Sequence, residues 1–309
     1  MTPALVVVGS LNMDFVVSVE RLPVAGETVL GRDFQMIPGG KGANQACAAG
    51  KLGAGAVAVR MIGRVGCDVF ADHLKASLGA AGVDVAAVAS TKSQPTGVAL
   101  IWVDRQGQNS IVVASGANFA LAPADVESMR QVFRGARLAL FQLETPLDAV
   151  MAALAVAREE GLRTMLDPAP AQPLPAGLLA RVDILTPNEN EALMLLGRPP
   201  ARVSPSEAPE LATALRQLGP RNVILKLGDR GSYYSGDAGA FQTPAFPVQV
   251  RDTTAAGDTF NAALAVALSE GRPIERALLF ANAAAAISVT RLGAQASAPT
   301  RAEVDQLIA

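Results

Sequence analysis

Several residue types on which protein chemistry often depends are scarce in this sequence. It contains one histidine, two cysteines and one tryptophan among 309 residues. The single histidine, His73, excludes a cluster of His ligands and argues against a Ser-His-Asp triad. Cys47 and Cys67 show neither zinc-site spacing nor a disulfide pattern, so we expect both to be reduced and structural.

Charge imbalance and long hydrophobic runs are also missing. The chain has 26 Lys and Arg against 28 Asp and Glu, which gives no basic footprint for nucleic acid or for a membrane surface. No apolar run approaches the ~18–20 residues that cross a bilayer, and the N-terminal MTPALVVVGS has no basic region. We therefore expect a cytoplasmic protein without nucleic-acid or membrane partners.

Alternation of strand-like and helix-like segments is the main pattern that is present. Leu5–Val8 has the continuous apolar character of a buried central strand. After Pro123 the pattern predicts helices at 124–134, 146–160, 189–196 and 207–218, and strands at 137–142, 163–167, 182–186 and 222–227. It indicates an α/β fold with a doubly wound, mostly parallel sheet sandwiched by helices, in a single domain over 1–309.

Three segments predict a second, smaller sheet. They lie at about 12–18, 28–38 and 96–114, and the last contains a hairpin signal around DRQGQN. Two-stranded pieces are rarely stable alone, so we expect these strands to pair with one another. Such a sheet would be a lid that excludes water from a reaction.

Polar residues stand at several predicted strand ends, where open α/β sheets bind ligands. Glu144, Asp167, Asn188 and Glu191 follow such strands. Any one of them would ordinarily be a cap or turn residue, but their recurrence at successive strand ends favours a binding site. Asn12 and Asp14 would share one face of a strand, unless that segment is a loop with two turn formers.

Two glycine-rich segments require different interpretations. GGKGANQ contains Gly39, Gly40 and Gly42 ahead of a predicted helix from about 43 to 52, and Lys41 is followed by Gly42, so it is not a Walker A loop. We interpret it as backbone that approaches a small polar ligand, with hydrogen bonds from Lys41 and Asn44. GAGAVA at 53–58 follows a helix and enters a strand, the wrong order for a dinucleotide fingerprint.

The stretch DTTAAGDTFNAA predicts a helix start that could hold an anion. Ala255, Ala256 and Gly257 are small enough for close approach to the unpaired backbone N–H groups. Asp258 would repel a resting phosphate but would be useful as a base for a hydroxyl that attacks phosphorus. The alternative is that Asp258 is only an N-cap.

Taken together these motifs resemble the PfkB-type ribokinase family of ATP-dependent carbohydrate kinases. The resemblance covers nearly the whole chain and rests on GSLNMD, GGKGANQA, PTGVAL, FQLE, TPNENE, LGDRG, DTTAAGDTF and AAAAISVTRLGAQAS. GGKGAN and AAGDTF are the most specific of them. The family implies an α/β sandwich with a β lid that often serves as the dimer interface.

The resemblance implies a role for each residue that matches a family motif. Asp258 would be the catalytic base, and Ala255, Ala256 and Gly257 would form the anion hole. The sugar would also meet residues from two N-terminal motifs and one strand end: Asn12, Met13, Asp14, Gly40, Lys41, Gly42, Ala43, Asn44 and Glu144. The nucleotide would lie along Asn188, Lys226, Leu227, Gly228, Asp229, Arg230, Gly231, Gly257 and Asn282.

Cofactors follow from the same resemblance. Glu191 would organise Mg²⁺ through water, which suits a cation that prefers oxygen ligands. A K⁺ site would use Asp252, Thr254, Ser288, Arg291, Gly293 and Ser297. Lys226 departs from the family, since a small Thr is common there, and Ala262 stands where Gly is common.

The activity implied is phosphorylation of D-ribose at O5 by MgATP, in a homodimer formed through the lid. Deoxyribose, a nucleoside or another sugar is the alternative substrate within the family; a phosphorylated sugar would need more basic residues near the lid than Lys41. From other classes, a catalytically silent sugar-binding regulatory protein or a dinucleotide-dependent dehydrogenase would use a similar fold. Asp258 and the AAG turn are present, and no GxGxxG follows the first strand, so a kinase is favoured.

Overall fold

The order of helices and strands follows the predicted alternation. The computed structural model describes residues 2–309. Their strands are β1 (Ala4–Val8), β2 (Asn12–Val19), β3 (Gly31–Gly39), β4 (Ala58–Val65), β5 (Val83–Asp84), β6 (Val88–Ser90), β7 (Gly97–Val103), β8 (Asn109–Ala114), β9 (Ala136–Phe141), β10 (Arg163–Leu166), β11 (Ile184–Leu185), β12 (Asn222–Lys226), β13 (Ser232–Gly236) and β14 (Gly239–Thr243). Their α-helices are α1 (Lys41–Gly53), α2 (Val69–Ala80), α3 (Pro123–Ser128), α4 (Leu147–Glu159), α5 (Glu189–Leu195), α6 (Ala208–Gln217), α7 (Ala256–Ser269), α8 (Ile274–Ser288) and α9 (Arg301–Ile308).

The main sheet has the order β14-β13-β12-β11-β10-β9-β1-β4-β5, with β6 paired to β4. Every pair from β12 to β5 is parallel, and β13 and β14 add an antiparallel edge. The predicted doubly wound, mostly parallel sheet is confirmed. The chain leaves β1 toward β4 on one side and returns to β9 on the other, so the switch point of the sheet lies beside β1.

Helices cover both faces of this sheet because its central strands are apolar on both sides. Leu5 and Val7 of β1 pack in one core with α1, α7 and α8, whereas Val6 and Val8 pack in a second core with α4 and α6. Successive side chains of a strand point to opposite faces, so one short run of four residues contributes to both layers. The continuous apolar run that predicted a central strand has this origin.

The smaller sheet has the order β3-β2-β7-β8. It is built from two separate insertions: β2 and β3 lie between β1 and α1, and β7 and β8 lie between β6 and α3. The hairpin predicted at DRQGQN is confirmed, with β7 and β8 antiparallel and Asp104 closing the turn. Its apolar residues Phe34, Met36, Ile111 and Val112 are more than half exposed.

Some element bounds differ from the predictions. The second lid strand begins at Gly31 rather than at 28, and the helix predicted over 124–134 ends at Ser128 before a 3₁₀ turn. The strand predicted over 182–186 contains only Ile184 and Leu185. The β13–β14 hairpin was not predicted, although Gly236 and Gly239 mark its turn. None of the helices formed by residues 2–309 has the length and hydropathy needed to cross a membrane.

Candidate active site

Polar side chains from successive parallel strands meet at the carboxyl edge of the main sheet. Ser10 follows β1, Gln142 and Glu144 follow β9, and Asp167 follows β10. Lys226 ends β12, and Asn188, which follows β11, forms a bridge with it. The predicted clustering at the carboxyl ends of the strands is therefore observed.

Helix α7 begins beside this edge and carries Asp258 in its first turn. The N-cap is Ala255, whose φ of 57° is left-handed, a conformation that non-glycine residues rarely adopt. The Asp258 carboxylate does not bond to its own helix start. It accepts hydrogen bonds from Asn44 Nδ2 at 3.2 Å and from Gln45 Nε2 at 2.9 Å. The N-cap alternative is wrong, because the side-chain partners of Asp258 belong to α1.

Burial sets the acidity of Asp258. The residue is 6% exposed, and its desolvation raises the pKa to about 6. The Lys41 ammonium lowers this pKa, the Asp167 carboxylate raises it, and the two amide hydrogen bonds lower it. The carboxylate is therefore ionised near neutral pH but is a stronger base than an ordinary Asp.

A buried amide network connects Asp258 to the opposite side of the site. Gln45 Nε2 also donates to Asp167 Oδ2 at 2.9 Å, so one amide bridges two carboxylates. Gln142 Nε2 donates to Gln45 Oε1 at 2.5 Å and fixes the amide orientation. Lys226 Nζ donates to Asp167 Oδ1 at 2.8 Å. Sequence reasoning noted Asp167 only as a polar strand end and missed Gln45 and Gln142.

The predicted sugar residues Asp14 and Glu144 form the acidic side of the site. Glu144 Oε2 accepts from Ser10 Oγ at 2.6 Å and from the Lys41 backbone N–H at 3.0 Å. Asp14 is half-buried, and its buried oxygen, Oδ1, has no partner. Desolvation, followed by the charges of Glu144 and Asp258, raises the pKa of Asp14 to about 7. An orphaned buried oxygen of this kind suits a ligand that brings hydroxyl donors.

The glycines of GGKGANQ permit the close approach of α1 to β1. Gly40 has φ 88°, and a β-carbon at Gly42 would lie 2.5 Å from the backbone nitrogen of Ser10. A larger residue at either position would be strained or would push the helix start away from the strand. The predicted backbone approach is therefore a packing requirement as well.

Three other predicted sugar residues, Met13, Ala43 and Asn12, do not direct a free side chain to the site. Met13 lies fully in the core, and Ala43 is fully buried in α1. Asn12 Oδ1 accepts a hydrogen bond from Asn118 Nδ2 at 2.7 Å. Asn44 remains available, since its Oδ1 is buried without a partner while its Nδ2 contacts Asp258.

Two adjoining cavities lie beside Ala256 and Gly257. A cavity of about 820 Å³ is bordered by Lys41, Asp167, Glu191, Lys226 and Asp258, among others. A more apolar cavity of about 460 Å³ is bordered by residues from the LGDRG turn, the 245–250 segment, α7 and α8. The two share a small set of lining residues: Lys226, Gly228, Asp229, Thr253, Ala256 and Gly257. A long ligand with an apolar end and a polar end would fit across both.

The predicted nucleotide residues border these cavities to different extents. Gly231 has φ 82° and closes a 3₁₀ turn over Gly228–Arg230. Arg230 pairs with Glu189 at 2.7 Å, and Leu227 is fully buried. Asn282 lines the apolar cavity and donates to Ser232 Oγ at 3.1 Å.

Asn188 and Glu191 form a capping box at the start of α5. Asn188 Oδ1 accepts from the Glu191 N–H at 2.9 Å, and Glu191 Oε2 accepts from the Asn188 N–H at 2.7 Å. Desolvation raises the pKa of Glu191, partly offset by Lys226. The carboxylate still borders the large cavity, and its oxygen atoms suit Mg²⁺ held through water.

Asp252 is bonded to two of the other predicted K⁺ residues, Thr254 and Gly293. Its Oδ2 accepts from the Gly293 N–H at 2.8 Å, and its Oδ1 accepts from the Thr254 N–H at 2.8 Å. Desolvation would raise the pKa of Asp252, but the Thr254 hydroxyl and these two N–H groups lower it overall. Ser288 and Ser297 hydroxyls donate to the carbonyls of Ala285 and Ala294. The loops thus offer a carboxylate and backbone oxygens, which are ligands that fit a hard cation.

Comparison with known proteins identifies the family. Residues 2–301 match the pfkB family carbohydrate kinases. The chain belongs to this family and is a sugar kinase. It is 42% identical over 302 residues to ribokinase from Bacillus subtilis, covering 98% of each chain. It is 41% identical over 303 residues to ribokinase from Haemophilus influenzae, covering 98% of this chain and 97% of the relative.

A solved structure extends the similarity to three dimensions. Arabidopsis thaliana ribokinase, complexed with ribose and ATP, has a TM-score of 0.90 and 37% identity, and the match covers 100% of this chain and 99% of that one. The α/β sheet and the separate small sheet are those of a ribokinase-like fold.

Proposed function

We propose that this sugar kinase phosphorylates D-ribose at O5 with MgATP. The observation that carries the proposal is the Asp258 carboxylate, which is held by Asn44 and Gln45 of α1 at the start of α7 and borders the large cavity. The full-length similarity to ribokinases supports ribose as the sugar, and the Arabidopsis thaliana complex supports ATP as the phosphoryl donor.

In the proposed reaction Asp258 takes the proton of the sugar hydroxyl as its oxygen attacks the γ-phosphorus of ATP. The new bond joins that oxygen to phosphorus, and the bond between phosphorus and the β–γ bridging oxygen breaks to leave ADP. Backbone N–H groups at Ala255 and Gly257 are suited to stabilise the negative charge of the transferring group. The N–H of Ala256 donates to the Thr253 carbonyl at 3.2 Å, so its share in the anion hole would need that bond to open. Positioning and charge neutralisation supply most of the catalysis in such transfers.

The sugar would lie between α1 and the lid. Asp14, Asn44 and Glu144 offer carboxylate and amide groups that pair with hydroxyls, together with the backbone around Gly40 and Lys41. Lys41 is the cation among the proposed sugar-binding side chains, so a neutral sugar fits better than a phosphorylated one. Two carboxyl groups on this side, Asp14 and Glu144, would repel a sugar phosphate.

Two cations would complete the site. Glu191 would hold Mg²⁺ through water, and Mg²⁺ would neutralise charge on the phosphates. Asp252 and backbone oxygens of the 252–254 and 288–297 loops would hold K⁺, with Ser288, Arg291, Gly293 and Ser297 in the second loop. The cation would steady the backbone dipoles beside the anion hole.

The proposed oligomer is a homodimer formed through the lid. Exposed apolar side chains on the small sheet support it, namely those of Phe34, Met36, Ile111 and Val112. An apolar patch on a solvent-exposed surface favours association. Sedimentation equilibrium of wild type and Phe34→Asp would test it, with a dimer expected only for wild type.

The experiment that tests the proposed function is ADP release from MgATP with a panel of free sugars and nucleosides, each with and without K⁺. Fast, K⁺-stimulated turnover on D-ribose is expected. Turnover on deoxyribose or a nucleoside with none on ribose would overturn the substrate and keep the mechanism. No turnover from folded protein that binds ATP would overturn the kinase reaction on these substrates.

A further inference from the structure

The family resemblance places Lys226 along the nucleotide, but the proposed reaction gives its ammonium no role. It ends β12, and its ammonium lies 2.8 Å from Asp167 Oδ1 and 4.0 Å from Glu191 Oε2. A β-carbon placed on Gly257 would lie 3.4 Å from the same nitrogen. The ammonium is therefore next to the backbone that is proposed to receive the transferring phosphoryl group.

The ammonium has donors left for a ligand. It carries three N–H groups, and its one hydrogen bond goes to Asp167. Its side chain is 12% exposed and borders both cavities, at the junction between the apolar and the polar space. Burial alone would lower the pKa of Lys226, but the charges of Asp167 and Glu191 raise it, so the group stays cationic.

The charge balance of the site calls for such a cation. The carboxyl groups of Asp14, Glu144, Asp167, Glu191 and Asp258 face only the two ammonium groups of Lys41 and Lys226. Arg202 and Arg230 also border the large cavity, but they pair with Asp229 and Glu189. A triphosphate chain would add further negative charge to a buried space in which charges interact strongly. A cation fixed on the nucleotide side would offset that cost.

We propose that Lys226 is a catalytic residue whose ammonium binds the terminal phosphates of the nucleotide beside Gly257, and that Asp167 and Gln45 position it. The proposal rests on the proposed kinase function and assigns a role within the same site. Gln45 Nε2 donates to both Asp167 and Asp258, so one amide holds the carboxylate that takes the proton and the carboxylate that holds the cation. The base and the phosphate-binding cation are thereby held at a fixed distance from each other across the cavity.

The test compares nucleotides that differ in their number of phosphates. Dissociation constants of AMP, ADP and β,γ-imido-ATP are measured by calorimetry for wild type and Lys226→Met, which keeps the length of the side chain. Loss of a charged hydrogen bond predicts affinities about 10-fold or more weaker for ADP and β,γ-imido-ATP. AMP and D-ribose should bind as they do to wild type. Lys75→Met, which removes an exposed lysine of α2, is the charge-matched control and should change none of these values.

A second variant guards against misfolding. Lys226→Met leaves Asp167 buried without its cation, which destabilises proteins, whereas Lys226→Met combined with Asp167→Asn removes both charges together. The double variant should show the same selective loss for ADP and β,γ-imido-ATP. Equal weakening of AMP, ADP and D-ribose, or no change in any, would overturn the proposal. Binding is measured without turnover, so a wild-type protein that binds ADP but phosphorylates no sugar would refute the proposed function alone.

Discussion

Asp258 and Glu191 are both buried acids in the first turn of a helix at the same edge of the sheet, yet their surroundings differ. Glu191 is bonded within its own helix start, to Asn188 in a closed capping box. Asp258 is bonded to Asn44 and Gln45, more than 200 residues away in the sequence, while the cap of its own helix is Ala255. The first arrangement stabilises a helix, and the second holds a carboxylate in place for another purpose.

The comparison separates an acid with a structural role from one that is proposed to act on a ligand. An N-terminal acid that bonds to its own backbone gains the usual capping energy. Asp258 forgoes that gain and is desolvated enough to raise its pKa to about 6. Such a cost is expected where a group must act on a ligand. Glu191 combines the two cases, because its capping bonds leave it at the border of the large cavity.

Asp258→Asn should have the largest effect. Removal of the base predicts a fall in kcat of about 10²- to 10⁴-fold, because the hydroxyl loses its proton acceptor. D-ribose binding should remain, because Asn keeps the size of the side chain. Steady-state kinetics and calorimetry on one preparation would measure both quantities. Turnover near the wild-type rate would show that Asp258 is not the base.

Glu191→Gln should have an intermediate effect and would sharpen the comparison. Gln can replace Glu in a capping box, so the free energy of unfolding should change by less than about 1 kcal/mol. Loss of the carboxylate should weaken the response to Mg²⁺ by about 10-fold or more, measured as the Mg²⁺ concentration for half-maximal rate. Asp68→Asn, which alters the acidic N-cap of α2, is the matched control and should leave that Mg²⁺ concentration unchanged. An unchanged Mg²⁺ response in Glu191→Gln would show that Glu191 only caps α5 and does not hold Mg²⁺.

Gln45→Met should have the smallest effect, on the pH dependence of kcat/KM. Asp258 acts as a base only when ionised, so activity in wild type should fall as the pH drops through about 6. The Gln45 amide stabilises the ionised form, and its loss should move this acid limb upward by about one pH unit or more. Asp14 has a pKa of about 7 and faces the same space, so Asp14→Asn profiles with and without Gln45→Met would isolate the Asp258 limb. If the acid limb lies at the same pH in Asp14→Asn with and without Gln45→Met, Gln45 does not stabilise the ionised form of the base.

The sequence contained enough to predict the layers of the fold and the edge that carries the site. Apolar runs such as Leu5–Val8 and the repeated strand–helix alternation reflect local rules that apply along the chain. Glu144 and Asp167 could be placed at that edge because parallel strands end together. The lid was predictable from a local signal too, the turn residues of the hairpin at DRQGQN.

The bridging role of Gln45 could not be predicted in this way. It depends on the packing of α1 against α7 and on the orientation that Gln142 gives to the amide. Gln45 follows Asn44 in GGKGANQ, and its full burial is the signal that a polar side chain there must find partners. The N-cap alternative for Asp258 also required the structure, since only the side-chain partners separate a cap from a base.

The most direct test of the account is a comparison of D-ribose with 5-deoxyribose, which lacks the hydroxyl at C5. Product analysis by ³¹P NMR, together with calorimetric binding of each sugar, would measure transfer and affinity separately. The account predicts ribose 5-phosphate from D-ribose, and 5-deoxyribose that binds but receives no phosphate. Phosphorylation of 5-deoxyribose at a comparable rate would contradict it, because transfer would then occur at another hydroxyl.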